Sequence, residues 1–256
     1  MEKLYKRVKT RAACSPFLLA LTFFVISTGL DIGIIFTGQS KIITWNTGIV
    51  DVVVQSLFAL GVLWWLSWLR AAGFNGPQEW QALHLFWVPA LLALLYLTSA
   101  LLTPAANAGV LIFAVIAALL TALDEEARFR GVILQSLLPI GPLTAAAFSS
   151  LFFALAHLNN LLTHAPPLVV FGQVVGAFLL GFGFAACRLR TKTLWPLIIF
   201  HALYDLPADI TLFNARNAST VNATLAALSP LATALALIIP GFILACYGLF
   251  LLRSRR

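Results

Sequence analysis

Two acid–base pairs and a lone histidine occupy stretches of this chain too apolar to hold charge cheaply. In Leu119–Ile140, LLTALDEEARFRGVILQSLLPI, Glu125 and Glu126 are adjacent and Arg130 follows Glu126 by four residues. On an α-helix that spacing puts Glu126 and Arg130 on one face with the acid N-terminal, the favourable order for pairing. Glu125 is rotated by roughly 100° from Glu126. One glutamate can therefore be neutralised by Arg130 while the other stays free as a general base. His201 and Asp205 repeat the four-residue spacing, so the carboxylate can fix the imidazole tautomer or share a metal with it. His157, in FFALAHLNN, has no such partner nearby in sequence and taken alone reads more readily as a structural hydrogen-bond donor, its weight coming from convergence with the other two motifs. The blander reading of the whole set is a buried charge cluster that glues helices together.

The elements carrying these residues are membrane spans. Of 256 residues 61% are hydrophobic and only 10% charged, whereas a soluble domain is about a quarter charged. Apolar runs of spanning length lie at about 16–38, 49–70, 84–103, 108–138, 143–160, 168–187, 193–213 and 229–252. They predict an all-α, polytopic bundle of about eight spans, a single integral membrane domain over 1–256 with its motif-bearing core at 108–213. The N-terminal basic stretch and apolar run read as an uncleaved first span rather than a signal peptide. Counting 1.5 Å per residue from the helix ends places Glu125 roughly 18–20 Å, His157 roughly 20 Å and His201 roughly 12 Å deep, one common layer. Pro207 is expected to kink the helix between Asp205 and Asp209.

Basic residues cluster between the runs and act as topology signals, which excludes a nucleic-acid reading of the net charge of +7. With a cytoplasmic N-terminus, Lys3, Lys6, Arg7, Lys9, Arg11, Arg70, Arg188, Arg190, Lys192, Arg253, Arg255 and Arg256 share that side, against Lys41 and Arg216 on the other. Both termini are then predicted to be cytoplasmic. Cys14, Cys187 and Cys246 have neither metal-ligand nor disulfide-framework spacing.

Glu125-Glu126-Ala-Arg-Phe-Arg130 resembles an EExxxR motif, Phe153-Ala-Leu-Ala-His157 an FxxxH motif and His201-Ala-Leu-Tyr-Asp205 an Hxxx(N/D) motif. In this order on three apolar helices they resemble the CPBP family of intramembrane proteases, which includes type II CAAX prenyl endopeptidases and bacteriocin-processing, immunity or lysostaphin-resistance-like homologues. The resemblance covers roughly residues 108–213. It implies peptide-bond hydrolysis in the membrane with Glu125 as the base that activates water. His157 would position the water or pass its proton on, and His201 and Asp205 would stabilise the oxyanion. Glu126 and Arg130 would be supporting residues.

Asp205 departs from the Asn common in CAAX-processing members, and an ionised carboxylate cannot donate to an oxyanion. It therefore keeps open a divalent metal such as zinc, held by Glu125, His157, His201 and Asp205, beside a metal-independent mechanism. No HExxH motif is present. Expected partners are membrane lipid and a peptide or lipidated-protein substrate; Arg128 or Arg130 could attract a substrate's C-terminal carboxylate, but Arg130 already has Glu126 as a partner, which weighs against that role. Buried Glu, His and Asp residues also suit a proton-coupled transporter, and a non-catalytic immunity or scaffold protein would use them as structure alone.

Overall fold

The computed structural model describes residues 15–39, 45–76, 80–102, 107–163, 165–217 and 229–253. Those residues contain helices and turns but no strand, as the apolar runs predict. The long helices are α1 (Pro16–Gln39), α2 (Trp45–Trp65), α3 (Trp87–Leu102), α4 (Ala108–Glu125), α5 (Pro142–Ala156), α6 (Pro167–Thr191), α7 (Trp195–Asn217) and α8 (Pro230–Arg253). Seven spans among the described residues are long and apolar enough to cross a membrane. The span not among them is α7, whose apolar run is diluted by His201, Asp205 and Asp209.

Local sequence sets the helix ends. Asn107 caps α4, its side chain accepting from the Val110 amide at 3.0 Å. Pro142 and Pro167 open α5 and α6, where the missing N–H costs nothing. Lys192 ends α6 in the left-handed region, after Arg188 and Arg190 in its last turn complement the helix dipole.

The outer surface is apolar: Trp64, Leu102, Phe171, Phe242 and Phe250 are all exposed, as a lipid-facing exterior requires. Trp64, Trp65, Trp87 and Trp195 are exposed near helix ends, as aromatic belts require. Helices cannot rely on hydrophobic burial to associate in lipid, so close backbone approach matters. At the α6–α8 contact a Cβ on Gly183 would lie 2.4 Å from Leu244 Cγ, and one on Gly248 would lie 2.9 Å from the Gly183 Cα. The most extensive helix pairings are α6 with α8, α5 with α6 and α4 with α7, while α3 packs on α7 and α2 on α4.

The helix begun by α4 does not stay α-helical. Residues Glu126–Ile133 form a π-helix, closed by the Leu134 N–H donating to the Phe129 carbonyl. It continues through an α-turn at Leu134–Leu137 and a 3-10 turn at Leu138–Ile140. Ser149 Oγ on α5 donates to the same Phe129 carbonyl at 2.7 Å. A side chain from a neighbouring helix thus satisfies a backbone group in the widened segment. Segments of π-helix concentrate at functional sites, and here all four charges of the motif border or lie within one.

Candidate active site

His201 is the hub. Its Nδ1 lies 2.9 Å from Glu126 Oε1, and its Nε2 faces Glu125 Oε2 at 3.3 Å and Asp205 Oδ2 at 3.6 Å. Both glutamates of the π-segment therefore meet one imidazole from α7, from opposite sides of the ring. An ionised Glu126 only accepts, so Nδ1 carries the proton it donates and Nε2 is the nitrogen presented to Glu125 and Asp205.

Glu126 also holds Arg130, with Nη1 3.0 Å from the same Oε1 that receives His201. Arg130 is sealed, at 1% exposure. Its guanidinium lies between aromatic faces, Cζ 4.3 Å from the Phe153 ring centre and 5.7 Å from that of Phe184. Gly181 makes this possible, because a Cβ there would come within 3.1 Å of Arg130 Nη2 and 3.0 Å of Phe153 Cδ1.

His157 reaches the site indirectly. Its Nδ1 donates to the Phe153 carbonyl at 2.9 Å, since a carbonyl only accepts, and the neutral ring keeps Nε2 as an acceptor. The His157 ring stands edge-on to Phe153 at 4.9 Å, and His201 packs on the same Phe153 ring at 6.0 Å. The two histidines thus share one aromatic spacer. The 3-10 turn His157–Thr163 that follows is tied to α6 by Asn160 donating to Gln173 at 2.9 Å.

Exposure grades across this centre. The side chains of Glu126 and Arg130 are closed off, His201 is 6% exposed, Glu125 20% and Asp205 35%. The accessible edge is formed by the two carboxylates that face Nε2.

Of the expected site residues, Glu125, Glu126, Arg130, His201 and Asp205 are brought into one connected cluster. The expected partition between the glutamates is corrected in one respect: Glu126 holds His201 as well as Arg130. The expected metal set is not assembled, for among the described residues no group of three or more His, Cys, Asp or Glu side chains is arranged to hold a metal ion. His157 packs on the Phe153 ring whereas Glu125 and Asp205 face His201, so the four donors do not converge on one point and the set does not fit a metal as placed. Of the two other histidines, His84 lies in the 3-10 turn Trp80–Phe86 and His164 lies outside the described residues.

A second buried polar cluster adjoins the first. Arg128 donates to Asp31 Oδ2 at 3.0 Å and Ser27 Oγ at 3.1 Å on α1, and it pairs with Asp124 on its own helix. Gln55 on α2 donates to the Ser27 carbonyl at 2.9 Å and to Asp31 Oδ1. Asp124 and Arg128 have the same four-residue spacing as Glu126 and Arg130, a signal available in the sequence. Arg128 and Arg130 are both buried and paired with acids of this chain, in keeping with the reading that weighed against a substrate-binding role for them. Arg188, read as a topology charge, is itself buried, and its guanidinium caps the carbonyls of Ala71 and Ala72.

These features define a class: a multi-pass helical membrane protein with a Glu–His–Asp centre opening at one edge of its interior. Residues 106–207 match the protein-family model described as type II CAAX prenyl endopeptidase Rce1-like. No curated protein and no solved structure matches the chain.

Proposed function

We propose that this protein is an intramembrane endopeptidase that hydrolyses a peptide bond through water activated by Glu125. The observation carrying this reading is His201, held at Nδ1 by the buried Glu126 while its Nε2 faces Glu125 and Asp205 at the exposed edge. A carboxylate poised against an imidazole in a protected layer is a proton-transfer device. Glu125 takes a proton from water as the water oxygen bonds to the scissile carbonyl carbon. The negative charge passes to the carbonyl oxygen, where a proton carried by Asp205 or by His201 Nε2 donates to it. Collapse breaks the C–N bond, and the proton taken by Glu125 is delivered to the leaving amine. His157, with Nε2 as its free acceptor, orients the water or relays that proton.

The catalytic core is the stretch 108–213 within one membrane domain over 1–256, with both termini cytoplasmic. The substrate class is a membrane-presented peptide or lipidated protein, with prenylated C-termini the first candidates given the Rce1-like domain. The test is cleavage of such reporters by proteoliposomes holding wild type or the Glu125→Ala, His157→Ala and His201→Ala variants, each shown to be folded. Loss of turnover in the variants is expected. Full proteolysis by all three would overturn the reading, and pH-dependent flux without cleavage would favour a transporter.

A further inference from the structure

Two tyrosines stand beside the centre and differ in what holds their hydroxyls. Tyr204 on α7, three residues after His201, is closed at 6% exposure, and its hydroxyl donates to the Pro89 carbonyl of α3 at 2.7 Å. Its ring packs on Phe184, which in turn stands against His201 at 5.7 Å. Tyr96 on α3 lays its ring on Tyr204 with 5.1 Å between centres. It is only half-buried, and among the described residues its hydroxyl has no hydrogen-bond partner and is not a sealed atom.

A phenol inside a span without a partner calls for a reason, since tyrosine hydroxyls away from water usually find one. The membrane interface does not supply it. Tyr96 lies six residues before Leu102, the last of α3, roughly 9 Å inside the span, whereas belt aromatics sit at headgroup level. What the hydroxyl does adjoin is Asp205, the residue after Tyr204, with which it is in electrostatic range. The other charged groups acting on Asp205 are His201, Glu125, Glu126 and Asp209. All but His201 are acids, so a neutral O–H is the complement this edge lacks.

We propose that Tyr96 is a further catalytic donor of the site, its O–H donating to the carbonyl oxygen of the scissile bond as negative charge builds there, alongside Asp205 or His201. This rests on the endopeptidase reading above. The phenol keeps its proton throughout, so the proton balance between water, Glu125 and the leaving amine is unchanged. Tyr204, anchored to Pro89, is the surface that fixes the Tyr96 ring. Tyr96 lies outside residues 106–207, so one donor comes from beyond the stretch that matches the protease family.

The experiment measures kcat and KM against pH in proteoliposomes of wild type, Tyr96→Phe and Tyr204→Phe, using the best-cleaved member of a panel of quenched membrane-presented peptides, prenylated and unmodified. Tyr96→Phe keeps the ring and its stacking and removes one oxygen. Its kcat is expected to fall about 10²-fold, the loss that follows removal of one oxyanion donor, with KM and the unfolding midpoint little changed. The factor is expected to be the same at every pH up to about 10, because a phenol stays protonated over that range whereas a carboxyl donates only while protonated. Tyr204→Phe loses the bond to Pro89 and is expected to lower the unfolding midpoint while kcat stays within about threefold. A Tyr96→Phe enzyme with wild-type kcat, or with lowered stability as its one change, would overturn the donor role and leave the endopeptidase reading standing. A loss confined to one limb of the pH profile would also overturn it, since Tyr96 would then act only by biasing Asp205. Absence of cleavage by wild type across the panel would overturn the endopeptidase reading and the donor role with it.

Discussion

The two buried arginines of the π-segment are two residues apart and meet opposite fates. Arg128 is enclosed by acids and a hydroxyl from its own helix and α1, with Gln55 of α2 tightening the group from behind. Its acids are closed as well, Asp31 at 10% side-chain exposure and Asp124 at 1%. Arg130 is enclosed too, yet the acid that neutralises it reaches past to a histidine, and beyond that histidine lie two carboxylates at 20% and 35% exposure. The first cluster ties α1, α2 and the π-segment together as a three-helix clamp. The second passes from a sealed ion pair through an imidazole to an accessible edge. Charge in a membrane interior thus does not by itself distinguish structure from chemistry; what separates them is whether the network terminates on groups that water and substrate can reach.

Substitution of one member from each cluster tests this division. Glu125→Gln keeps shape and removes the proposed base, and general-base catalysis contributes about 10²–10⁴ in rate. Turnover in proteoliposomes is expected to fall by about 10³-fold, with unfolding in mild detergent shifted by less than about 0.5 kcal/mol. Arg128→Ala should do the opposite. Removing one partner of a buried ion pair costs about 3–5 kcal/mol, read as a lower denaturant midpoint, while the protein that remains folded keeps kcat within about threefold of wild type, too little to indicate a lost catalytic group. If Arg128→Ala abolished turnover in protein as stable as wild type, the clamp would belong to the chemistry and the contrast would fail.

What the sequence made readable follows the same divide. Span positions are set by the length of apolar runs, a local property, and the helices fall within a few residues of the runs. The Glu126–Arg130 and His201–Asp205 spacings are likewise local, and both pairs meet. Asp124–Arg128 obeys the same rule but was hidden beside the more conspicuous glutamate pair. The partner of Asp31 lies on another helix, which no spacing reveals. The π-segment could not be read because its widening is supported from outside, by Ser149 on α5. Depth counting does not fix azimuth, and it is the Phe153 ring that both His157 and His201 pack against. A basic residue at a helix end looks the same in sequence whether it is solvated or, like Arg188, buried against carbonyls.

The open cluster can itself be graded. His157 lies one ring away from the hub, so His157→Ala is expected to lower kcat by about 10²-fold, the lower part of the general acid–base range, with KM little changed. A pure loss of stability would place His157 with the clamp. Asp205→Asn should have the smallest effect. Asp205 Oδ2 is 3.6 Å from His201 Nε2, beyond a good hydrogen bond, so in the proposed mechanism its part is to face the reacting oxygen more than to hold the ring. An amide in its place has N–H groups that always donate, whereas a carboxyl donates only while protonated. Turnover at neutral pH is therefore expected to stay within about threefold of wild type, because a donor remains for the oxyanion. The informative readout is the pH profile. Where a protonated Asp205 is the donor, wild type loses activity as pH rises through its titration and the Asn variant does not. Where Asp205 instead serves as a carboxylate that orients His201, the Asn variant loses activity at every pH, and the exposed edge reduces to Glu125 alone.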